Sequence, residues 1–308
     1  MGTVSVSHLS KSYRGKKAVS DLTFEIPPGR ITGLLGPNGA GKTTTLRLLT
    51  GSLLPSSGKI LFSDLDFLAN RLRIQKKIGY LPESAPVYSA LTAKEYLFFC
   101  ANARGVLPSE IENSVRSVLR RFDLEEVLEY PISFLSKGYK QRLCLAGTIL
   151  HDPEYIFLDE PTSGLDPIQI SEFKDTIRSL GKTKTILLSS HILSEVEELC
   201  DHILVISDGT LIADSAVKGL SNVSKRILLW AEADPESVRS LFADTLYEIE
   251  ITGRREESFS EYGIVPRSSA APETFEILKN APFKVRAFYP EKNSLESFFE
   301  TLTRTESE

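Results

Sequence analysis

Gly36-Pro37-Asn38-Gly39-Ala40-Gly41-Lys42-Thr43 is the most informative run in this chain. It fits G-x-x-x-x-G-K-[ST], and its surroundings complete the pattern: Ile31-Thr32-Gly33-Leu34-Leu35 reads as a buried strand, and Lys42 to Leu49 reads as a helix. The chemistry calls for these residue types. Glycines let backbone N–H groups turn inward around phosphate oxygens, and a helix N-terminus adds a favourable dipole. The loop Gly36, Pro37, Asn38, Gly39, Ala40, Gly41 with Lys42, Thr43 and Thr44 therefore forms a candidate nucleotide cradle. Lys42 reaches the β- and γ-phosphates, and the Thr43 hydroxyl ligates Mg2+. The competing reading, a glycine-rich turn with a surface lysine, leaves the flanking strand and helix as coincidence.

Downstream, Tyr155-Ile156-Phe157-Leu158 and Thr185-Ile186-Leu187-Leu188 are short apolar runs of the kind buried on both faces of a parallel sheet. Helix-like segments separate them, which predicts βαβ units and an α/β fold. Asp159-Glu160 directly follows the first of these runs, at a strand's C-terminal end, where ligands of open α/β sheets bind. Asp159 is placed to hold Mg2+, directly or through water, and Glu160 to orient and deprotonate an attacking water.

Around this centre the chain alternates at Thr3–Ser7 and Leu22–Ile26, which predicts an N-terminal β region turned by Pro27-Pro28-Gly29. Residues 84–135 turn helical: Thr92-Ala93-Lys94-Glu95 and Ser109-Glu110-Ile111-Glu112 both match capping boxes. Ile203–Ile206 and Leu211–Ala213 predict a hairpin about Asp208-Gly209. Beyond residue 220 the spacing predicts strands at 226–231, 246–252 and 283–289, with helices at 235–243, 272–280 and 293–303.

Composition bounds the reading. The 308 residues suggest about two domains, and 41% hydrophobic with 25% charged residues is ordinary for a globular protein. No apolar run approaches the ~18–20 residues of a membrane-spanning helix, and the N-terminus lacks the regions of a signal peptide. The formal charge of −5 is uneven: residues 1–220 hold 25 basic and 25 acidic side chains, so the whole excess lies in 221–308. Neither part has the basic surplus of a nucleic-acid binder, so no nucleic-acid partner is expected. Cys100, Cys144 and Cys200 are odd in number and far apart, which fits reduced core thiols in a cytosolic protein.

Over residues 1–220 the chain resembles the ATP-binding subunits of ABC transporters. Leu135-Ser136-Lys137-Gly138-Tyr139 stands at the position of that family's LSGGQ signature, Ser163-Gly164-Leu165-Asp166 resembles its D-loop, His191 its switch histidine, and Tyr13 its adenine-stacking aromatic. The resemblance implies a P-loop NTPase core with an N-terminal antiparallel β subdomain and a helical insertion at 84–135, followed by a C-terminal α/β accessory domain at 221–308. It also implies ATP with Mg2+, and two subunits that sandwich two nucleotides, either a homodimer or a pair with a related ATPase. In that sandwich Ser136, Lys137, Gly138 and Asp166 serve the facing subunit's nucleotide. A separate polytopic permease is implied too, docking near Glu83 and an apolar region with Val87, Tyr88, Leu97 and Phe98, with this subunit cytoplasmic and peripheral on the inner face of the cell membrane.

Two departures stand out. Glu83 occupies the place of a glutamine, where it can ligate Mg2+ but adds negative charge, and Lys137 replaces a glycine-type signature position. Tyr80-Leu81-Pro82-Glu83, Leu135–Tyr139, Ser189–Glu197 and the ending Ser294–Phe299 are similar to ABC-2-type exporter ATPases, especially the gliding-motility-associated kind. The expected activity is Mg-ATP hydrolysis coupled to export. The rival readings are a soluble ABC ATPase and an ATP-gated switch of low turnover.

Overall fold

The structure is a computed structural model that describes residues 2–84, 87–217, 226–243, 245–266 and 274–290. The chain divides into two compact units, Met1–Val217 and Lys218–Glu308.

The first unit begins with β1 (Val4–Tyr13) and β2 (Lys16–Ile26), joined at Arg14-Gly15, both with positive φ. β3 (Ile31–Leu35) leads through the glycine loop into α1 (Lys42–Leu49). Next come β4 (Ser57–Phe62), β5 (Leu65–Asp66), α2 (Arg71–Gln75) and β6 (Ile78–Leu81). The helical insertion is α3 (Ala93–Ala103) and α4 (Pro108–Arg121), followed by short 3-10 turns at Glu125–Val127 and Ile132–Phe134. The remaining elements are α5 (Lys137–Ile149), β7 (Tyr155–Leu158), α6 (Pro167–Gly181), β8 (Thr185–Ser190), α7 (Leu193–Leu199), β9 (His202–Ser207) and β10 (Thr210–Ala216).

Two sheets result. An antiparallel sheet has order β2-β1-β4-β5, and a six-stranded sheet has order β10-β9-β3-β8-β7-β6. In the latter, β6, β7, β8, β3 and β9 run parallel, and β10 closes the edge antiparallel to β9 through Asp208-Gly209, both with positive φ. The apolar runs at 31–35, 155–158 and 185–188 are the central strands, buried along their whole length. A core of aliphatic side chains and the aromatics Phe62, Phe67, Tyr155 and Phe157 joins the two sheets. Phe62 packs edge-on against Tyr155 at 4.9 Å.

The parallel strands align their C-terminal ends. Leu35 precedes the glycine loop, Leu81 precedes Pro82-Glu83, Leu158 precedes Asp159-Glu160, and Ser190 precedes His191. Four chain segments far apart in sequence thus empty onto one edge of one sheet, the place where open α/β sheets bind ligands.

In the second unit, β11 (Ile227–Glu232), α8 (Pro235–Leu241), β12 (Tyr247–Glu256), β13 (Phe259–Pro266), α9 (Thr274–Leu278) and β14 (Lys284–Pro290) form an antiparallel sheet of order β12-β13-β11-β14. This is the split βαβ arrangement of ferredoxin-like units. Leu229, Val238, Phe242, Tyr262, Ile264 and Leu278 build its core.

Three sequence expectations change. The strand β13 is absent from the pattern because its hairpin turns at Glu257-Ser258, with Glu257 itself at positive φ, rather than at a glycine signal. The second capping box does not form. Leu107 is the N-cap of α4 and Pro108 its first residue, which puts Ser109 inside the helix; proline lacks the N–H that a cap would satisfy and its φ already suits that position. Leu97, expected at a docking surface, is fully buried in the core, while its neighbour Phe99 is exposed. The strands β4 and β6 also went unforeseen, being short runs without clear alternation. The helix expected at 293–303 and the ending Ser294–Phe299 lie outside the described residues.

The first capping box is present in full: Thr92 Oγ1 accepts from the Glu95 N–H, and the Glu95 carboxylate accepts from the Thr92 N–H at 2.8 Å. Thr92→Ala should cost about 1 kcal/mol in a urea titration, the usual worth of such a cap.

His151, just beyond α5, places Nε2 3.1 Å from the Ile78 carbonyl. Burial, and next the Arg104 charge, push its pKa down to about 4. Below its ordinary value the unfolded chain takes a proton that the folded chain refuses, so stability is full above about pH 6.5 and falls toward pH 4. A His151→Gln variant should lose less stability than the unaltered chain across that window, measured by chemical denaturation at stepped pH.

Candidate nucleotide site

The glycine loop owes its shape to backbone that only glycine adopts cheaply. Gly39 and Gly41 have φ of +86° and +105°, and a Cβ on Gly41 would press against the Ala18 carbonyl. A Cβ on Gly36 would collide with the Ile206 carbonyl of β9. The loop thus wraps tightly between β2, β9 and α1, and the first N–H groups of α1 are left without partners inside the helix. Ala40 is buried and its N–H closes a turn onto the Pro37 carbonyl.

Lys42, only 6% exposed, folds back over the loop. Its amine donates to the Gly36 carbonyl at 2.7 Å and the Pro37 carbonyl at 3.2 Å, and lies 3.2 Å from Glu160 Oε1. Thr43 Oγ1 donates to Asp159 Oδ1 at 3.2 Å, and Ser189 Oγ donates to the same oxygen at 2.7 Å. The Glu160 N–H donates to Ser189 Oγ at 2.8 Å. Glu160 itself has φ of +44°, unusual for a residue with a side chain. His191 Nδ1 is 2.8 Å from Glu160 Oε2, while its ring remains about half exposed.

These groups line a cleft of about 440 Å³ with Asn38, Thr44, Glu83 and Ser163. An adjoining cleft of about 550 Å³ shares Thr43, Glu83 and Ser163 and adds Arg47, Asp159 and Lys137. Among the described residues the buried Asp159 Oδ2 accepts no hydrogen bond, and Glu160 Oε1 has only the Lys42 amine facing it. An orphaned carboxylate oxygen on Asp159 beside a loop of inward N–H groups suits a triphosphate with a divalent cation: the donors take the phosphates, and Asp159 with Thr43 offers hard oxygen ligands.

The other residues singled out in the sequence stand elsewhere. Ser136 caps α5, its hydroxyl accepting from the Tyr139 N–H at 3.3 Å, and Gly138 is buried against Gln169. Asp166 caps α6, accepting from the Gln169 N–H at 2.9 Å. Tyr13 ends β1, half-exposed, with the Lys11 amine 5.5 Å over its ring. None of these four lines the phosphate-loop cleft. Lys137 folds back onto Gly164 of its own chain, where a Cβ would collide with its amine.

Comparison with known proteins places this geometry. The family described as "ABC transporter" matches residues 19–163. The bacitracin transport ATP-binding protein BcrA of Bacillus licheniformis is 39% identical over 233 residues, 75% of each chain. The chain belongs to the ATP-binding subunits of ABC transporters. Its ATPase fold and its use of ATP follow from that membership. The Nod factor export ATP-binding protein I of Rhizobium etli is 34% identical over 82% of this chain and 81% of its own. A solved "ATP binding subunit of ABC transporter" superposes with a TM-score of 0.64 at 31% identity, covering 70% of this chain and 91% of that one. As in the sequence reading, the ABC ATPase core is an antiparallel β subdomain, a helical insertion and a mixed sheet.

Sequence reasoning missed Ser189 and Gln141. Ser189 ties Asp159 to the Glu160 backbone, and Gln141 Nε2 donates to the Pro161 carbonyl at 2.8 Å, fixing α5 to the turn after Glu160. A serine inside a buried apolar strand was the available signal for the first.

Because Lys42 is the cation held against Glu160, Lys42→Met leaves a buried carboxylate uncompensated. It should destabilise by about 3–5 kcal/mol in urea. Glu160→Gln leaves Lys42 its two carbonyls and should cost clearly less.

Proposed function

We propose that this subunit drives an exporter: it closes on ATP as a dimer, hydrolyses it, and transmits the motion to a separate membrane permease. The observation that carries the reading is the convergence of Lys42, Thr43, Asp159, Glu160 and His191 at one sheet edge. Of the relatives named above, both are ATP-binding proteins of transport systems, and the Nod factor export protein supports export as the direction.

The chemistry follows from the contacts. The N–H groups at the start of α1 and the Lys42 amine bind phosphate oxygens, the amine exchanging the Gly36 and Pro37 carbonyls and Glu160 for stronger anionic acceptors. Mg2+, when held by Thr43 and Asp159, with Glu83 within the same cleft, supplies charge neutralisation at the phosphates. Release of Lys42 leaves Glu160 oriented by His191 and by the Ser189 hydroxyl under its backbone. The carboxylate then takes a proton from water as that water attacks. In a dimer, Ser136 and Gly138 at the N-terminus of α5, with Asp166, meet the facing subunit's nucleotide, and Tyr13 stacks on adenine. Their position outside the cleft of their own chain supports a role across an interface.

A groove of about 530 Å³ between β6, α3 and α5 suits the permease. Tyr88 and Phe99, 56% and 47% exposed, meet edge-on at 5.2 Å on its rim, with Val87 beside them. Among the described residues no helix is long and apolar enough to cross a membrane. In this reading the spanning part of the machine is a separate permease, and this subunit sits on the inner face of the cell membrane. The finer placement among ABC-2-type exporters of the gliding-motility-associated kind rests on Tyr80–Glu83, Leu135–Tyr139 and Ser189–Glu197. The unit after residue 220 acts as an accessory domain carrying the acidic excess.

One observation favours a slower machine. Glu83 adds a carboxylate to a cleft already lined by Asp159 and Glu160, which suits an ATP-gated switch of low turnover. Steady-state hydrolysis separates the two readings. The purified chain with Mg2+ should turn over ATP, and Glu160→Gln should lower kcat at least about 100-fold while ATP binding persists. Binding without turnover in the unaltered chain, alone and with its permease, would leave the switch standing and remove the pump.

A further inference from the structure

Glu160 and His191 stand on two separate turns, one after β7 and one after β8, and their 2.8 Å contact lasts only while those turns stay together. The Ser189 hydroxyl ties them on one side, between Asp159 and the Glu160 N–H. A second tie comes from α7. Glu195, in the first turn of that helix, is buried. Its Oε2 accepts from Thr162 Oγ1 at 2.7 Å and from Ser190 Oγ at 3.4 Å. Thr162 lies two residues beyond Glu160, and Ser190 directly precedes His191.

Both hydroxyls are themselves buried and fixed by their turns. Ser190 Oγ accepts from the Ile192 N–H at 3.0 Å, which leaves its own proton for Glu195. Around Thr162, the Ser163 N–H closes onto the Glu160 carbonyl and the Leu165 N–H onto the Thr162 carbonyl, each at 3.1 Å. Glu195 forms no ion pair among the described residues. A buried carboxylate answered by neutral hydroxyls is costly, and for the fold alone an apolar side chain would pack there more cheaply. An apolar side chain cannot, however, accept both hydroxyls at one atom and so hold one turn to the other.

We propose that Glu195 is a positioning residue: through Thr162 and Ser190 it clasps the two turns that carry Glu160 and His191, and so keeps the imidazole on the carboxylate during hydrolysis. The inference rests on the ATPase reading and deepens it. Glu195 lines neither cleft beside the phosphate loop, so its loss slows the chemical step and leaves nucleotide binding in place. Because both hydroxyls meet the same oxygen, the amide oxygen of a glutamine serves as well, without the charge.

The test compares the full chain with Glu195→Ala, Thr162→Val and Glu195→Gln, each assayed for kcat and for KM with Mg-ATP. Glu195→Ala should lower kcat at least about tenfold while KM changes less than about twofold, as expected when an interaction serves only the transition state. Thr162→Val, which removes one hydroxyl at nearly constant volume, should lower kcat about threefold with KM again unchanged. Glu195→Gln should keep kcat within about twofold of the unaltered chain. A glutamine variant as slow as the alanine one, losses in KM rather than kcat, or full activity in Glu195→Ala each overturn the proposal and leave the ATPase reading intact. Should Glu195→Ala fail to fold, the other two variants decide: a slowed Thr162→Val beside an active Glu195→Gln upholds the clasp, and any other pattern overturns it. If the unaltered chain shows no turnover, the ATPase reading fails, and crystal structures decide the clasp instead. The 2.8 Å contact between His191 and Glu160 should then open beyond about 3.5 Å in Thr162→Val and persist in Glu195→Gln. An intact contact in Thr162→Val overturns the proposal.

Discussion

The buried pair of Lys42 and Glu160 is the interaction on which the rest of the first unit turns. An amine and a carboxylate withdrawn from water tolerate burial only with each other and with further hydrogen bonds. Both conditions hold: Lys42 has the Gly36 and Pro37 carbonyls, and Glu160 has His191. The pair fixes the glycine loop at the end of β3 to the acidic step at the end of β7. Since β8 lies between those strands, Ser189 is trapped in the same lattice and locks Asp159 in place. A phosphate oxygen is a stronger acceptor for that amine than a backbone carbonyl. The site is therefore built around a cation that its own chain holds ready for exchange.

The parallel sheet makes this possible. Strand ends from residues 35, 81, 158 and 190 share one edge only because β6, β7, β8 and β3 pair in parallel, in the observed register. β3, β7 and β8 are buried along their whole length, which is why their runs are largely apolar and why charged chemistry begins where they stop. The second unit obeys a different rule: among the described residues its antiparallel sheet has helices between β11 and β12 and between β13 and β14, and its long strand β12 alternates buried and exposed residues at its start.

Much of this was legible in the sequence because it depends on local chemistry. The phosphate loop, Asp159-Glu160 and the Asp208-Gly209 hairpin are each written within a dozen residues, and Thr92–Glu95 caps α3 as its pattern requires. Less legible were features set by partners distant in the chain. Ser189 looks like an interruption of an apolar strand until Asp159 is placed beside it. The sequence reading puts Leu97 at the permease-facing surface, yet it is fully buried and Phe99 takes the rim. Lys137, by its position in the signature, implies a role toward a facing subunit; what the sequence does not show is that its amine lies against the left-handed turn at Gly164.

The account stands on the claim that ATP takes Lys42 away from Glu160. A crystal structure of the full chain with Mg2+ and a non-hydrolysable ATP analogue reads this directly. The account predicts the Lys42 amine within hydrogen-bond reach of β- and γ-phosphate oxygens, its 3.2 Å contacts to the Pro37 carbonyl and Glu160 broken, and Glu160 still joined to His191. A bound nucleotide with the Lys42–Glu160 pair intact and the phosphates seated elsewhere would contradict it.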